Sequence, residues 1–216
     1  MTAVVTGEHD FDVPSFQRMW RDLPGVDAYL QGLDNFGAAD RRTRETYDVI
    51  AFYNFHQENP DHDDEWGEGI EAALADLGRT RQGVLVLHHA ILAFPDLSLW
   101  SELTGIQNRS FDYHNDQRIQ VSVAPLDHPV TAGLTDWEQE DETYTMHDAG
   151  PGSTVLLTTE HNPSMRTLAW TRTYRQSPVF CLQLGHDRLA FENPQFRQIV
   201  AQGIHWLAGR SEEVSR

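Results

Sequence analysis

The chain has 216 residues, of which 33 are acidic and 16 basic, giving a formal charge of -17; this is the length of one ordinary domain. Every basic residue is arginine, which excludes Schiff-base catalysis, lysine-anchored pyridoxal phosphate and a Walker-type phosphate loop, while the acidity argues against nucleic acid and anionic lipid as partners. The single Cys181 excludes an intramolecular disulfide and a multi-cysteine zinc site.

In chain order, Ala3–Thr6 reads as a first strand, too brief and without the basic start of a signal peptide. Phe16, Met19, Trp20 and Leu23 recur at helical spacing behind Pro14. Val26–Leu33 is a candidate strand, and Tyr47–Tyr53 a firmer one rich in β-branched and aromatic residues. Trp66, Ile70, Ala73, Leu74 and Leu77 form one helical face, entered through Asp63, Asp64 and Glu65. Gly83–Leu87 is a continuous apolar run, the pattern of a strand buried on both faces of a parallel sheet. A short helix through Leu97, Trp100 and Leu103 stops near Gly105.

The second half is strand-rich, with runs at 119–123, 142–146, 154–158, 168–174 and 179–184. A closing helix is capped by Asn193, starts at Pro194, buries Phe196, Ile199, Val200, Gly203 and Leu207, and ends at Gly209. We therefore expect one α/β domain over 1–210, a mostly parallel sheet flanked by helices with extra β elements, and a frayed tail at 211–216. No apolar stretch has the ~20 residues of a membrane helix, so a cytoplasmic protein is the expectation, and a homodimer is the common default.

Eleven histidines are generous for this length. His9, His56, the pair His88 and His89, and His186 each stand just beyond a predicted strand. Ligands of open α/β sheets bind beyond the strands' carboxyl ends, so these imidazoles are placed to converge on a catalytic or metal site. A loop histidine is otherwise an ordinary polar surface group. His62 lies in an acidic helix entry and His205 off the apolar stripe of the last helix, so both read as solvated.

Taken together, Gly83–Ala90 with its His88-His89 ending, Trp100, Gly105, Asp127-His128-Pro129, Asp141-Glu142-Thr143-Tyr144, Ala169-Trp170, Leu184-Gly185-His186-Asp187 and Trp206 resemble the ThuA-like (trehalose utilisation) family, in order along nearly the whole chain. The resemblance implies a flavodoxin-like, class I glutamine amidotransferase-like fold. Enzymes of that superfamily carry a cysteine nucleophile in a sharp turn after a central strand and a histidine after a later one. Here His88 stands in the turn and His186 in the later position, so amidotransferase chemistry loses its nucleophile. Cys181 lies in mid-strand, where a free cysteine is a small apolar residue. The middle of the pattern departs too: His114 matches a family histidine loosely, and Tyr174–Pro178 replaces a glycine-rich turn.

What the resemblance implies chemically is carbohydrate, as a glucoside or keto-glucoside. His88, His186 and Glu142 are the catalytic candidates, acting as acid and base or, with His88 and His186 as ligands, through a divalent metal such as zinc. His9, His89, Asn54, Trp100, Tyr144 and Asp187 are candidates for substrate contact. Asp187 could instead orient His186, and Trp100, Phe111, Tyr144 and Trp170 could equally be core. Arg109 could hold a hydroxyl or carboxylate. Asp127-His128-Pro129 reads as a structural turn, with Asp127 as its side-chain cap. No nucleotide, flavin or pyridoxal phosphate is expected. A sugar-binding or regulatory module that kept the crevice without catalysis is the other reading.

Overall fold

The structure is a computed structural model that describes residues 1–61, 63 and 66–210. Its strands are β1 (Thr2–Gly7), β2 (Ala28–Gly32), β3 (Val49–Asn54), β4 (Gly83–Leu87), β5 (Asp112–Val123), β6 (Trp137–Thr145), β7 (Thr154–Thr158), β8 (Thr167–Tyr174) and β9 (Ser177–Leu182). Its helices are α1 (Val13–Asp22), α2 (Leu33–Ala38), α3 (Arg41–Arg44), α4 (Gly67–Ala75), α5 (Ser98–Thr104), α6 (Arg188–Glu192) and α7 (Pro194–Leu207), with 3-10 turns at His88–Leu92 and Pro129–Thr131.

All nine strands join one sheet in the order β2-β1-β3-β4-β9-β8-β7-β5-β6. The pairs from β2 to β9 are parallel and those from β9 to β6 antiparallel. The sheet is thus mixed, which corrects the mostly parallel expectation. The reason is local: a two-residue turn at Arg175 and Gln176 joins β8 to β9, and so short a connection permits only antiparallel pairing.

Alternation along the parallel strands builds a core on each face. Val4, Ala51, Tyr53, Leu85, Leu87, Phe180 and Leu182 pack with Phe16, Trp20, Phe196, Ile199 and Leu207 of α1 and α7. Ala3, Val5, Ile50, Phe52, Val84, Val86 and Cys181 pack with Phe36, Leu74, Trp100 and Leu103 of α2, α4 and α5. Asp12 caps α1 through Ser15 N, and Asn193 caps α7 through the amides of Gln195 and Phe196.

Several expectations move. The second strand shrinks to Ala28–Gly32, and α2, α3 and α6 were not foreseen because six, four and five residues hold too little of a 3.6-residue period. α4 begins at Gly67, which leaves Trp66 46% exposed instead of on the buried face. Asp64, Glu65, His62 and the tail 211–216 lie outside the described residues. No helix among the described residues is long and apolar enough to cross a membrane.

Candidate active site at the carboxyl edge

The site is built on an elbow. β4 ends at Leu87, and His88 turns the chain with φ 53° into the 3-10 turn. A bulky residue holds such a φ only where its surroundings over-determine it, and such strain clusters at functional sites. Here the surroundings are a hydrogen-bond network that is fully buried at His88, Tyr144 and Gln183 and opens outward at His186. His88 Nδ1 lies 2.6 Å from the Gln183 carbonyl, so it carries the proton and Nε2 the lone pair. Against Nε2 stand the Tyr144 hydroxyl at 2.8 Å, His186 Nδ1 at 3.2 Å and Glu142 Oε1 at 3.5 Å. Glu142 Oε1 is 3.7 Å from His186 Nδ1.

Burial lowers the His88 pKa, the Glu142 carboxylate partly opposing it, so the ring is neutral near pH 7. Burial also resists ionisation of Glu142, but the His88 imidazole, the Tyr144 hydroxyl and the nearby His186 outweigh it and hold the carboxyl below its ordinary value. Burial and the nearby Glu142 raise the Tyr144 phenol well above its usual range, so it stays a proton donor.

His186 is positioned from both sides. Gly185 precedes it at φ 121°, where an added Cβ would lie 2.9 Å from the Phe196 ring. The Asp141 carboxylate accepts the backbone N–H groups of Gly185 at 2.8 Å, His186 at 2.9 Å and Glu142 at 2.9 Å. The Tyr53 hydroxyl spans the carbonyls of Gly185 and His186. Burial pushes the Asp141 carboxyl up to about 7, against the pull of those amides. Asp141 therefore ties the strand that carries Glu142 and Tyr144 to the loop that carries His186. Gln183 ties them again, since its side chain donates to the Glu142 carbonyl at 2.9 Å.

Sequence reasoning named Asp141 only as part of the family-like motif, with no role of its own, and passed over Gln183 and the Tyr53 hydroxyl. The available signal was the alternation in β6, where Trp137, Gln139 and Asp141 face inward and Glu138 and Glu140 outward; its inward face is largely polar, so it reads as solvated. Asp187 does not orient His186. Its Oδ1 accepts Leu189 N at 2.8 Å and caps α6.

Of the remaining candidates, His9 stands beside His186, with ring centroids 5.7 Å apart, and packs at a tilt against His89 at 4.2 Å. Burial, with His186 adding to it, lowers the His9 pKa. His89 and Asn54 are buried beneath the site, where His89 Nδ1 meets the Asn54 carbonyl at 3.3 Å; they support the elbow from below. His56 turns aside, hydrogen-bonded to the Asn54 amide and stacked on Phe94.

Trp100 and Trp170 are fully buried, their indole N–H groups held by the carbonyls of Ala90 and Thr104. They are core residues, with no face open to a ligand. Tyr144 is buried as well and reaches the site through its hydroxyl alone. Arg109 is buried and straps the segment after the elbow, bonding Ser101 Oγ and the carbonyls of Ala93 and Phe94; burial lowers it to about 10. In the Asp127–Pro129 turn the cap comes from His128 instead of Asp127, its Nδ1 accepting Val130 N. His114 bonds Thr145 Oγ1 on the neighbouring strand.

Cys181 is fully buried in β9, and burial drives its thiol pKa far upward, so it is no hidden nucleophile. The native protein should leave a thiol-reactive dye unreacted, and one thiol per chain should titrate after denaturation. Fast labelling of the folded protein would contradict this.

Glu142 and His186 open onto a pocket of about 270 Å³, lined also by Asn115, Asp116, Glu140, Asp141, Asp187 and Leu189. That is just below the roughly 300–1,000 Å³ of drug-sized sites and suits one small ring.

A mixed α/β sheet with a histidine elbow and an opposing histidine loop defines an α/β protein that gathers imidazole and carboxylate side chains at the carboxyl edge of its sheet. The family described as Trehalose utilisation (ThuA) matches residues 37–207, and the chain belongs to it. A ThuA-like protein from Parabacteroides merdae superposes with a TM-score of 0.72 at 19% identity, covering 96% of this chain and 89% of that one. A ThuA-like protein from Bacteroides uniformis gives 0.68 at 14%, covering 95% and 90%. A cytoplasmic protein of Salmonella typhimurium LT2 gives 0.67 at 11%, covering 96% and 99%. At these identities the likeness concerns the fold. No curated protein matches the chain.

Proposed function

We propose that the chain is a carbohydrate-processing enzyme that works by acid–base chemistry at a divalent metal held by His88, Glu142 and His186. The observation that carries this reading is the triangle of their ligand atoms, with edges of 3.2, 3.5 and 3.7 Å. Ligands bound to one tetrahedral ion at ~2.0–2.1 Å stand roughly 3.3–3.5 Å apart. The donor set fits as well. His88 presents a lone pair, its other nitrogen is anchored on a carbonyl, and Glu142 is an anion; two imidazoles and one carboxylate leave a fourth position open.

A bound cation would supply Lewis-acid polarisation of a sugar hydroxyl or carbonyl. The chain's own groups then hold and move protons. Tyr144 keeps its proton and donates toward the centre. His9, neutral and beside His186, would take a proton from a ring carbon next to a carbonyl, the electron pair passing to the carbonyl oxygen. Glu140 and Asp116 at the pocket rim accept hydrogen bonds from hydroxyls. The carbohydrate assignment draws on the family description; the flavodoxin-like reading of the fold draws on the order β2-β1-β3-β4-β9 of the parallel half.

The test is metal content of the purified protein and turnover on a panel of glucosides and keto-glucosides. One ion per chain with turnover that chelation abolishes would support the reading. Absence of metal and turnover with sugar still bound would replace it with a binding module. Protons and metal compete for the same lone pairs. Because burial lowers His88 below its ordinary 6.5, metal is expected to be retained down to that pH and released on further acidification. Release already complete at pH 7 would contradict the assignment.

A further inference from the structure

A second cavity, of about 910 Å³, lies beyond the carboxyl ends of β1, β2 and β3, and the chemistry proposed above does not use it. Its place follows from the path of the chain. β1 lies between β2 and β3 in the sheet. After β1 the chain passes into α1, which packs on one face, and after β3 into α4, which packs on the other. Connections that leave adjacent parallel strands toward opposite faces open a crevice between their carboxyl ends, and in open α/β sheets that crevice is where ligands bind. Thr6, Gly7 and Glu8 line the cavity from the end of β1, and the segment from Phe55 to Pro60 lines it from the end of β3.

The walls are aromatic and acidic. Trp66 is 46% exposed where the chain enters α4. Phe55 and His56 are half-buried, and Phe94 stacks behind the His56 ring. Gly7 closes β1 at φ 153°, and a Cβ there would lie 2.7 Å from the His56 ring; its absence lets the imidazole lie against the end of the strand. Glu8, Asp34 and Glu58 contribute exposed carboxylates. Among the described residues lining the cavity there is no arginine, and the arginine ion pairs of the described residues go to other carboxylates. Burial lowers the His56 pKa against the pull of Glu8 and Asp34, so the ring is neutral near pH 7 and leaves the negative charge uncompensated.

These walls select one chemistry. Uncompensated carboxylates repel phosphates and organic acids, and a bare metal ion gains little from indole and phenyl faces. A positive group clothed in carbon is attracted by both, since the face of an aromatic ring is electron-rich and the carboxylates add full charges. We propose that this cavity binds a small organic cation, its ammonium group near Glu8, Asp34 and Glu58 and its carbon skeleton against Trp66, Phe55 and His56. The volume lies within the roughly 300–1,000 Å³ of small-molecule sites, so the skeleton extends beyond the ammonium group itself. The site is independent of the centre at His88, Glu142 and His186.

The experiment is titration calorimetry of the full chain with choline, a quaternary ammonium probe, and with dimethylbutanol, its uncharged isostere with carbon in place of nitrogen. An ionic strength of about 0.15 M screens charges scattered over the surface. Choline is expected to bind once per chain and the isostere at least about tenfold more weakly, the range of a cation held by aromatic faces and carboxylates. Trp66→Ala and Glu8→Gln should each weaken choline about tenfold. Glu102→Gln, the same loss of charge on α5 outside the cavity, should leave it within twofold. Trp66, Glu8 and Glu102 are all exposed, so an unchanged thermal melt is the control for folding. A chain that does not bind choline, that binds the isostere equally well, or that keeps its choline affinity in both cavity variants would overturn the proposal.

Discussion

Replacing His88 by alanine is expected to lower affinity for zinc or cobalt(II) at least about 100-fold, because even partners that only support a ligand cost 10–100-fold when removed. The His88 ring offers its lone pair at Nε2 since Nδ1 is committed to the Gln183 carbonyl at 2.6 Å. His186→Ala and Glu142→Gln should produce losses of the same order, and the double variant His88→Ala, His186→Ala little more than either one, because the three groups serve one ion and their effects do not add. Calorimetry and the visible spectrum of the cobalt form both report this. A wild-type chain that takes up no metal, or a His88→Ala chain that keeps it, would remove the ion from the proposal. The Tyr144 hydroxyl and the imidazoles would then be left to act directly.

The second large effect falls on a residue that touches no ligand in the proposal. In Asp141→Asn, one carboxylate oxygen becomes an NH₂ group pointing at backbone N–H donors. Either Gly185 N on Oδ2, or His186 N and Glu142 N on Oδ1, loses its acceptor in a buried place. Each unsatisfied buried donor costs about 1–3 kcal/mol, so a loss of about 2–4 kcal/mol is expected, seen as a fall of roughly 4–15 °C in Tm for a chain of this size. Metal affinity should fall in the same variant, since Asp141 fixes the loop that carries His186. Asp187→Asn, which weakens the cap of α6 and removes no ligand of the proposed ion, should leave metal affinity unchanged. Equal effects of the two variants would mean that the Asp141 network positions nothing in particular.

The elbow was legible because β4 is a short unbroken apolar run that ends abruptly in His88-His89. An apolar run of that length between polar segments is a strand buried on both faces, and the residues just past its carboxyl end lie at the sheet edge. His186 was legible for the same reason at the end of β9. Glu142 stood out only through its family-like motif. The outer half of β5 was not legible: apart from Tyr113, Asp112–Arg118 is polar, and these residues are largely exposed to water where they pair with β6, so no apolar period marks it. Trp100, read as a sugar platform or as core, proved to be core, because an indole at helical spacing looks the same from sequence whether its N–H meets the Ala90 carbonyl or a ligand.

Composition alone excluded lysine chemistry and an intramolecular disulfide, and the hydrophobic periods alone located the central strands, the closing helix and the histidines at strand ends. Those are local properties: a period of two or 3.6, a cap, an absent residue type. Which histidines meet is not local. It depends on β4 and β9 lying side by side, although 95 residues separate His88 from Gln183. It depends equally on β6, at the far edge of the sheet, delivering Glu142 and Tyr144 to that junction. His56, at an equally plausible strand end, faces the neighbouring cavity instead. Only the folded sheet, through its strand order and the buried Asp141 and Gln183 that lock two loops together, decided that His88, Glu142 and His186 share one centre.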